Sequence, residues 1–403
     1  MTISIRKMIS GAAFLSTALF GGAGVQNVSA QEAAATLSAP QLNGYFATEP
    51  WTGAPKGTAS AQSLTGASAA TTIPMSTYSF ATTKDGTTRT GTIVGTSPFA
   101  APQSSTIPVV VVPLKITIGT AVFDPSAANS CDGNISAVNR FNQSPLVQVS
   151  PLTFNGVSVG TTQYINGFRR AEFWNAIGGS AAYQNTLSPV TYATQVSVPA
   201  LTSSQGSTYS SGCSLLGIVS YSWFSNYLSN TLLPSLTASG VISPTKFVIF
   251  LLKNVVQSTA NPPSTTGCCI LGFHSAKGSP VQTYSPIDWD TTGLFSGTAD
   301  GSIASHEIGE WMDDPLGTNP TPAWGNIGQV SGCQTNWENG DPLSGTLMPA
   351  ITLSGKAYHM QELGFFSWYF NKLGVASLGA GGKFSANGKF AGPSKACPAG
   401  GTN

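Results

Sequence analysis

The chain has 403 residues, and 17 Lys+Arg with 16 Asp+Glu make it only 8% charged, where an ordinary soluble domain carries about 25%. A net charge of +1, with no basic cluster outside Arg169-Arg170, argues against nucleic acid, whose binding rests on many phosphate contacts, and against electrostatic attachment to a membrane surface. With 41% apolar residues the chain can bury a large core, so neutral hydroxyl and amide side chains are left to hydrate its surface.

Residues 1–30 read as a secretory signal, with Arg6 and Lys7 before an apolar stretch and Val28-Ser29-Ala30 as a small-x-small cleavage site. No later run approaches the ~20 apolar residues of a membrane span. The expected location is therefore secreted or periplasmic, with no membrane contact after signal cleavage. Six cysteines follow the signal, an even number that suggests disulfides with 15 possible connectivities. Cys268 and Cys269 are adjacent and are expected to pair elsewhere; the alternative is a vicinal redox pair.

Residues 31–74 are rich in Ala, Ser, Thr, Gly and Pro and read as a low-complexity linker or loosely held arm. Residues 75–375 read as a single α+β domain with a β-rich N-terminal half. Strands are predicted over 91–94 and 107–118, a short helix over 163–174, and a strand over 187–198. A helix is predicted over 217–236 and a central strand over 245–256. The clearest helix is 302–314, stopped by Pro315, with loop to Met348 and a second aromatic-rich helix over 362–373. Residues 376–403 form a Gly/Ala-rich tail that Cys397 can tie back. In the segment 163–174, an ion pair of Arg169-Arg170 with Glu172 or an acidic loop is favoured over recognition of a substrate carboxylate.

The 302–314 helix contains His306-Glu307-Ile308-Gly309-Glu310, an H-E-x-x-E arrangement. Residues four apart share a helix face, so His306 and Glu310 can converge on one metal ion with Glu307 beside it. This is the zinc-peptidase H-E-x-x-H pattern with its second His replaced by Glu, and a carboxylate oxygen is a competent zinc ligand. Asp341 lies downstream at a separation that suits a third ligand. Six carboxylates fall between Glu307 and Asp341, a concentration that stands out in so neutral a chain. His274 reads as a ligand or transition-state donor, or else as an ordinary hydrogen-bonded His; for His359 the ordinary reading is favoured. Asp313-Asp314-Pro315 either hydrogen-bonds a metal-bound His or simply ends the helix.

Gly272-Phe273-His274, Ser305 to Glu310, Asp313-Asp314-Pro315 and Glu338-x-x-Asp341 together resemble a bacterial group of secreted H-E-x-x-E proteins, themselves similar to the plant phosphate-induced/EXORDIUM extracellular family. The resemblance covers about residues 245–370. It implies a zincin-like metal-site helix in the C-terminal half; the plant members generally lack the intact helix motif.

The function expected is a secreted zinc-dependent hydrolase of metallopeptidase type, acting on a peptide, protein or cell-wall polymer. His306, Glu310 and Asp341 would hold Zn2+, Glu307 would act as general base and His274 would stabilise the oxyanion. One alternative is a non-catalytic extracellular or cell-wall carbohydrate-binding protein whose metal is structural or absent. Another is a metal-independent acid hydrolase using paired carboxylates such as Glu307 and Glu310.

Overall fold

The run Val109–Ile118 is apolar at almost every position because both faces of this strand are covered. Its neighbour Phe247–Lys253 shows the reason directly, since successive side chains of a strand point to opposite faces. Phe247, Ile249 and Leu251 join a core with Ile303, Ile308 and Trp311, whereas Val248, Phe250 and Leu252 join another with Phe224, Leu228 and Leu232. The structure is a computed structural model and describes residues 42–50, 71–188, 190–210, 213–371, 383–395 and 397. The signal at 1–30, much of the 31–74 segment and much of the 376–403 tail lie outside the described residues.

These strands belong to an 11-stranded mixed sheet. Its path runs Thr191–Tyr192, Val109–Ile118, Phe247–Lys253, Gln282–Trp289, Cys268–Lys277, Val255–Ser258, Leu215–Ser220 and Gly206–Ser210. The first four pair in parallel, Gln282–Trp289 and Cys268–Lys277 antiparallel. Tyr45–Thr48, within the segment read as a linker, is a strand that adds parallel to Cys268–Lys277.

The fold class expected from the sequence is corrected here. The described residues are 38% strand and 18% helix, the large mixed sheet is nearly closed into a barrel, and among the described residues there is no zincin-like C-terminal half. Strands from both halves of the chain share that sheet, so no β-rich N-terminal half stands apart. The reason is register: Val109–Ile118 pairs with Phe247–Lys253, and the apolar runs of the two halves bury each other.

Local expectations change in the same way. Residues 245–256 form two strands, because Asn254 takes a left-handed turn (φ 54) between Phe247–Lys253 and Val255–Ser258. Residues 217–220 belong to the strand Leu215–Ser220, and helix begins only at Tyr221, where the Ser220 hydroxyl accepts from the Trp223 N–H. The second aromatic helix is limited to Phe366–Phe370 among the described residues. Three disulfides pair all six cysteines: Cys131–Cys213, Cys268–Cys269 and Cys333–Cys397. The adjacent cysteines thus pair with each other, against expectation, because the other four close two loops among themselves.

The helix Tyr164–Glu172 places Arg169 in the interior. Arg169 donates through Nη1 to the carbonyls of Met312 (2.6 Å) and Val94 (3.2 Å) and stands 3.4 Å from Asp313 Oδ1. The acidic partner is therefore at the end of the 302–313 helix. Arg169→Met should destabilise the chain by about 3–5 kcal/mol, because it leaves buried carbonyls and a buried carboxylate uncompensated. Denaturant unfolding measures this, and a loss below about 1 kcal/mol would refute the buried-pair assignment.

Candidate metal centre

The helix Ser302–Asp313 carries its polar motif into the interior, with all 12 residues buried. It is held there by apolar neighbours on the same turns: Trp311 stacks on Phe247 with ring centroids 3.6 Å apart, and Ile303 and Ile308 are fully buried. His306 Nε2 then stands 3.0 Å from Glu310 Oε2, as the four-residue spacing requires. Asp341 follows a hairpin of Pro320–Ile327 and Val330–Asn336 and brings Oδ1 to 3.5 Å from the same nitrogen. The three residues offer ligand atoms within 4.8 Å of one another.

Gly340 allows this approach, since a Cβ there would fall on the His306 ring. The backbone N–H groups of Gly340 (3.0 Å) and Asp341 (3.2 Å) donate to Glu310 Oε1, which leaves Oε2 for the centre.

A second group shares Glu310. His274, Glu310 and Glu338 also offer ligand atoms within 4.8 Å of one another. His274 Nε2 bonds the backbone carbonyl of Asp314 at 3.0 Å. That contact puts a ring proton on Nε2 and turns Nδ1 toward Glu307 Oε2 (3.5 Å) and Glu310 Oε2 (3.8 Å); burial works against charge on the ring, but these carboxylates outweigh it and raise the imidazole above its ordinary value. The Asp314 carboxylate instead accepts the N–H groups of Thr318 and Asn319, so it closes the helix end. His359 is bonded to Asp300 at 2.9 Å and lies outside both groups.

Several atoms facing the centre have no hydrogen-bond partner although buried: His306 Nε2, His274 Nδ1, both oxygens of Glu307 and Glu338 Oε2. Each such atom costs about 1–3 kcal/mol. A divalent cation would relieve their convergence on carboxylates, and the imidazole and carboxylate donors fit one. Holding it through His306 Nε2 requires the ring proton on Nδ1. The Gln361 Nε2 now lies 2.9 Å from Nδ1 and donates to the Gly340 carbonyl, so the amide would have to turn its oxygen to Nδ1 and give up the Gly340 bond.

Burial raises most of the centre's carboxyls. Burial pushes Glu307 up to about 7, opposed by its contact with His274. Burial and then Glu310 push Asp341 up to about 6, and burial with Glu310 and Asp341 holds Glu338 well above the usual range. Burial works against charge on His306, but Glu310 and Asp341 outweigh it and push the imidazole up to about 10.

Elsewhere burial pushes Asp290 up to about 6 against the pull of the Thr292 hydroxyl, and Asp313 up to about 6 against the pull of Arg169. Carboxyls raised on folding favour the folded chain in acid, and that contribution is lost as pH rises from the ordinary 3.8 through about 6. Chelator-treated protein should accordingly melt higher at about pH 4 than at about pH 7. A melting temperature that rises with pH across that window would contradict the placement of these buried carboxyls.

The structure brings His306, Glu310 and Asp341 into one group with Glu307 and His274 alongside, and leaves His359 and Arg169 outside it. Glu338 stands in the sequence motif, but no signal marked it as a ligand candidate. Gln361, Gln329 and Phe46 carry no sequence signal at all, since they reach the centre only through tertiary closure. No protein-family model, curated protein or solved structure matches the chain.

Proposed function

We propose that the chain is an extracellular metal-dependent hydrolase, most simply a peptidase, whose cation is held by His306, Glu310 and Asp341. The observation that carries this reading is the buried, hydrogen-bond-free His306 Nε2 flanked by two carboxylates at 3.0 and 3.5 Å. Zinc suits one imidazole and two carboxylate oxygens, and when bound it supplies Lewis acidity toward a carbonyl and a water. Glu307 accepts the proton of the attacking water and returns it to the leaving amine; its unbonded oxygens and position beside the ligand pair suit that transfer. His274, fixed through Nε2 by the Asp314 carbonyl, sets Nδ1 3.5 Å from Glu307 Oε2, a contact that holds the carboxylate when the ring is protonated. With that tautomer its Nδ1 accepts, so it stabilises an oxyanion only when the ring is protonated. Three disulfides support an extracellular setting, and among the described residues no helix is long and apolar enough to cross a membrane. The test is metal content of the purified mature protein alongside cleavage of casein; metal-free protein that binds no added zinc would refute it.

A second reading, a non-catalytic cell-wall or carbohydrate-binding protein with a structural cation, is favoured by the burial of the whole centre. It is also favoured by a separate pocket of about 430 Å³ lined by Tyr78, Phe80 and the exposed Phe99. Metal-loaded protein that cleaves nothing but binds soluble cell-wall glycan would select it.

A further inference from the structure

The imidazoles and carboxylates of the centre are each at most 5% exposed, so a substrate cannot reach His306 or Glu307 while the present cover stays in place. Residues 42–50 form that cover. The strand Tyr45–Thr48 lies along Cys268–Lys277 with Tyr45 opposite Ile270 and Thr48 opposite His274. The Phe46 ring lies flat on the His306 imidazole, with centroids 3.4 Å apart and planes 11° apart.

The way this segment is held is informative. The Phe46 N–H donates to Gln329 Oε1 (2.8 Å), and Gln329 Nε2 donates both to the Phe46 carbonyl (3.0 Å) and to Asp341 Oδ1 (2.5 Å). One amide thus reads both backbone groups of one residue and ties them to a candidate ligand. The Ser275 hydroxyl donates to the Glu49 carbonyl, and the Cys269 N–H to the Asn43 carbonyl, each at 3.1 Å. All these are backbone contacts that any extended peptide can make; at the centre only the aromatic ring adds side-chain identity. Beside it a pocket of about 220 Å³, lined by Tyr45, Phe46, Gln329, Val330, Gln334 and Asp341, continues the groove.

Resting on the hydrolase reading above, we infer that residues 42–50 occupy the cleft for an extended peptide substrate that presents a large aromatic side chain to His306. The chain as folded is therefore latent, and displacement of this segment opens it.

The probe is a fluorescent peptide of residues 42–50, with an analogue carrying Ala in place of Phe46, titrated against full-length protein by anisotropy. Two variants loosen the resident segment: Phe46→Ala, and Gly44→Leu, whose Cβ meets Leu271 Cδ1 at 2.7 Å. A folded variant should bind the Phe peptide at least about tenfold more tightly than the wild type does, and the Ala analogue at least about tenfold more weakly than the Phe peptide. Loss of bound metal to a chelator should also be at least about tenfold faster in the variant, because the cover is off. Equal binding to wild type and variants, or no preference for Phe over Ala, overturns the inference. If neither variant folds, the wild type decides: excess Phe peptide should speed metal loss and the analogue should not, and identical rates overturn the inference. Binding is read without turnover, so the two readings fail separately. Metal-free protein that still captures the Phe peptide sinks the hydrolase and keeps the cleft, whereas metal-loaded protein indifferent to both peptides does the reverse.

Discussion

Glu310→Gln is expected to take the purified protein from about one bound divalent ion per chain to none, with affinity lowered by roughly 100-fold or more. Glu310 belongs to both candidate ligand groups, and its Oε2 faces His306 and His274 while two backbone N–H groups fix Oε1. The amide keeps the size of the side chain but loses the negative charge, and its NH2 has no lone pair for a cation. Two companion variants locate the ion. Asp341→Asn should weaken binding strongly and Glu338→Gln only slightly if His306, Glu310 and Asp341 hold it; the reverse order would move the ion to the His274 group. Elemental analysis after dialysis reads all three. Full metal retention in Glu310→Gln would exclude both groups.

Glu307→Gln should keep its metal and lose activity by roughly 10²–10⁴, the usual weight of a positioned general base. Glu307 is fully buried and neither oxygen is hydrogen-bonded, so an amide of the same shape is tolerated and removes a buried charge. The change should therefore raise stability slightly or leave it alone, which separates loss of chemistry from loss of fold. Peptide cleavage at matched metal content decides: equal rates for the variant and the wild type would remove Glu307 from the mechanism.

Much of the centre was legible because a helix turns a spacing into a direction. His306 and Glu310 are four apart and do face one another, and all six carboxylates from Glu307 to Asp341 are buried around the same helix. Their concentration stands out in an 8% charged chain. The sheet was not legible in the same way. Cys268–Lys277 and Gln282–Trp289 bury His274, Ser275, Thr283, Ser285 and Asp288, so no apolar run or clean alternation marks them as strands. Nor does local sequence say that Val109–Ile118 pairs with a strand some 130 residues later, since pairing is decided by mutual burial. The segment holding Phe46 has little apolar periodicity; it is ordered by the sheet edge and by Gln329, partners that only the folded chain supplies.

Anomalous diffraction at the zinc edge, from crystals grown with zinc, decides whether this buried cluster holds a divalent cation. The expected result is a dominant peak about 2.0–2.2 Å from His306 Nε2 and from carboxylate oxygens of Glu310 and Asp341. A peak bounded by His274 and Glu338 instead would contradict the ligand set. Zinc found only at surface groups, with the cluster empty, would contradict cation binding there altogether.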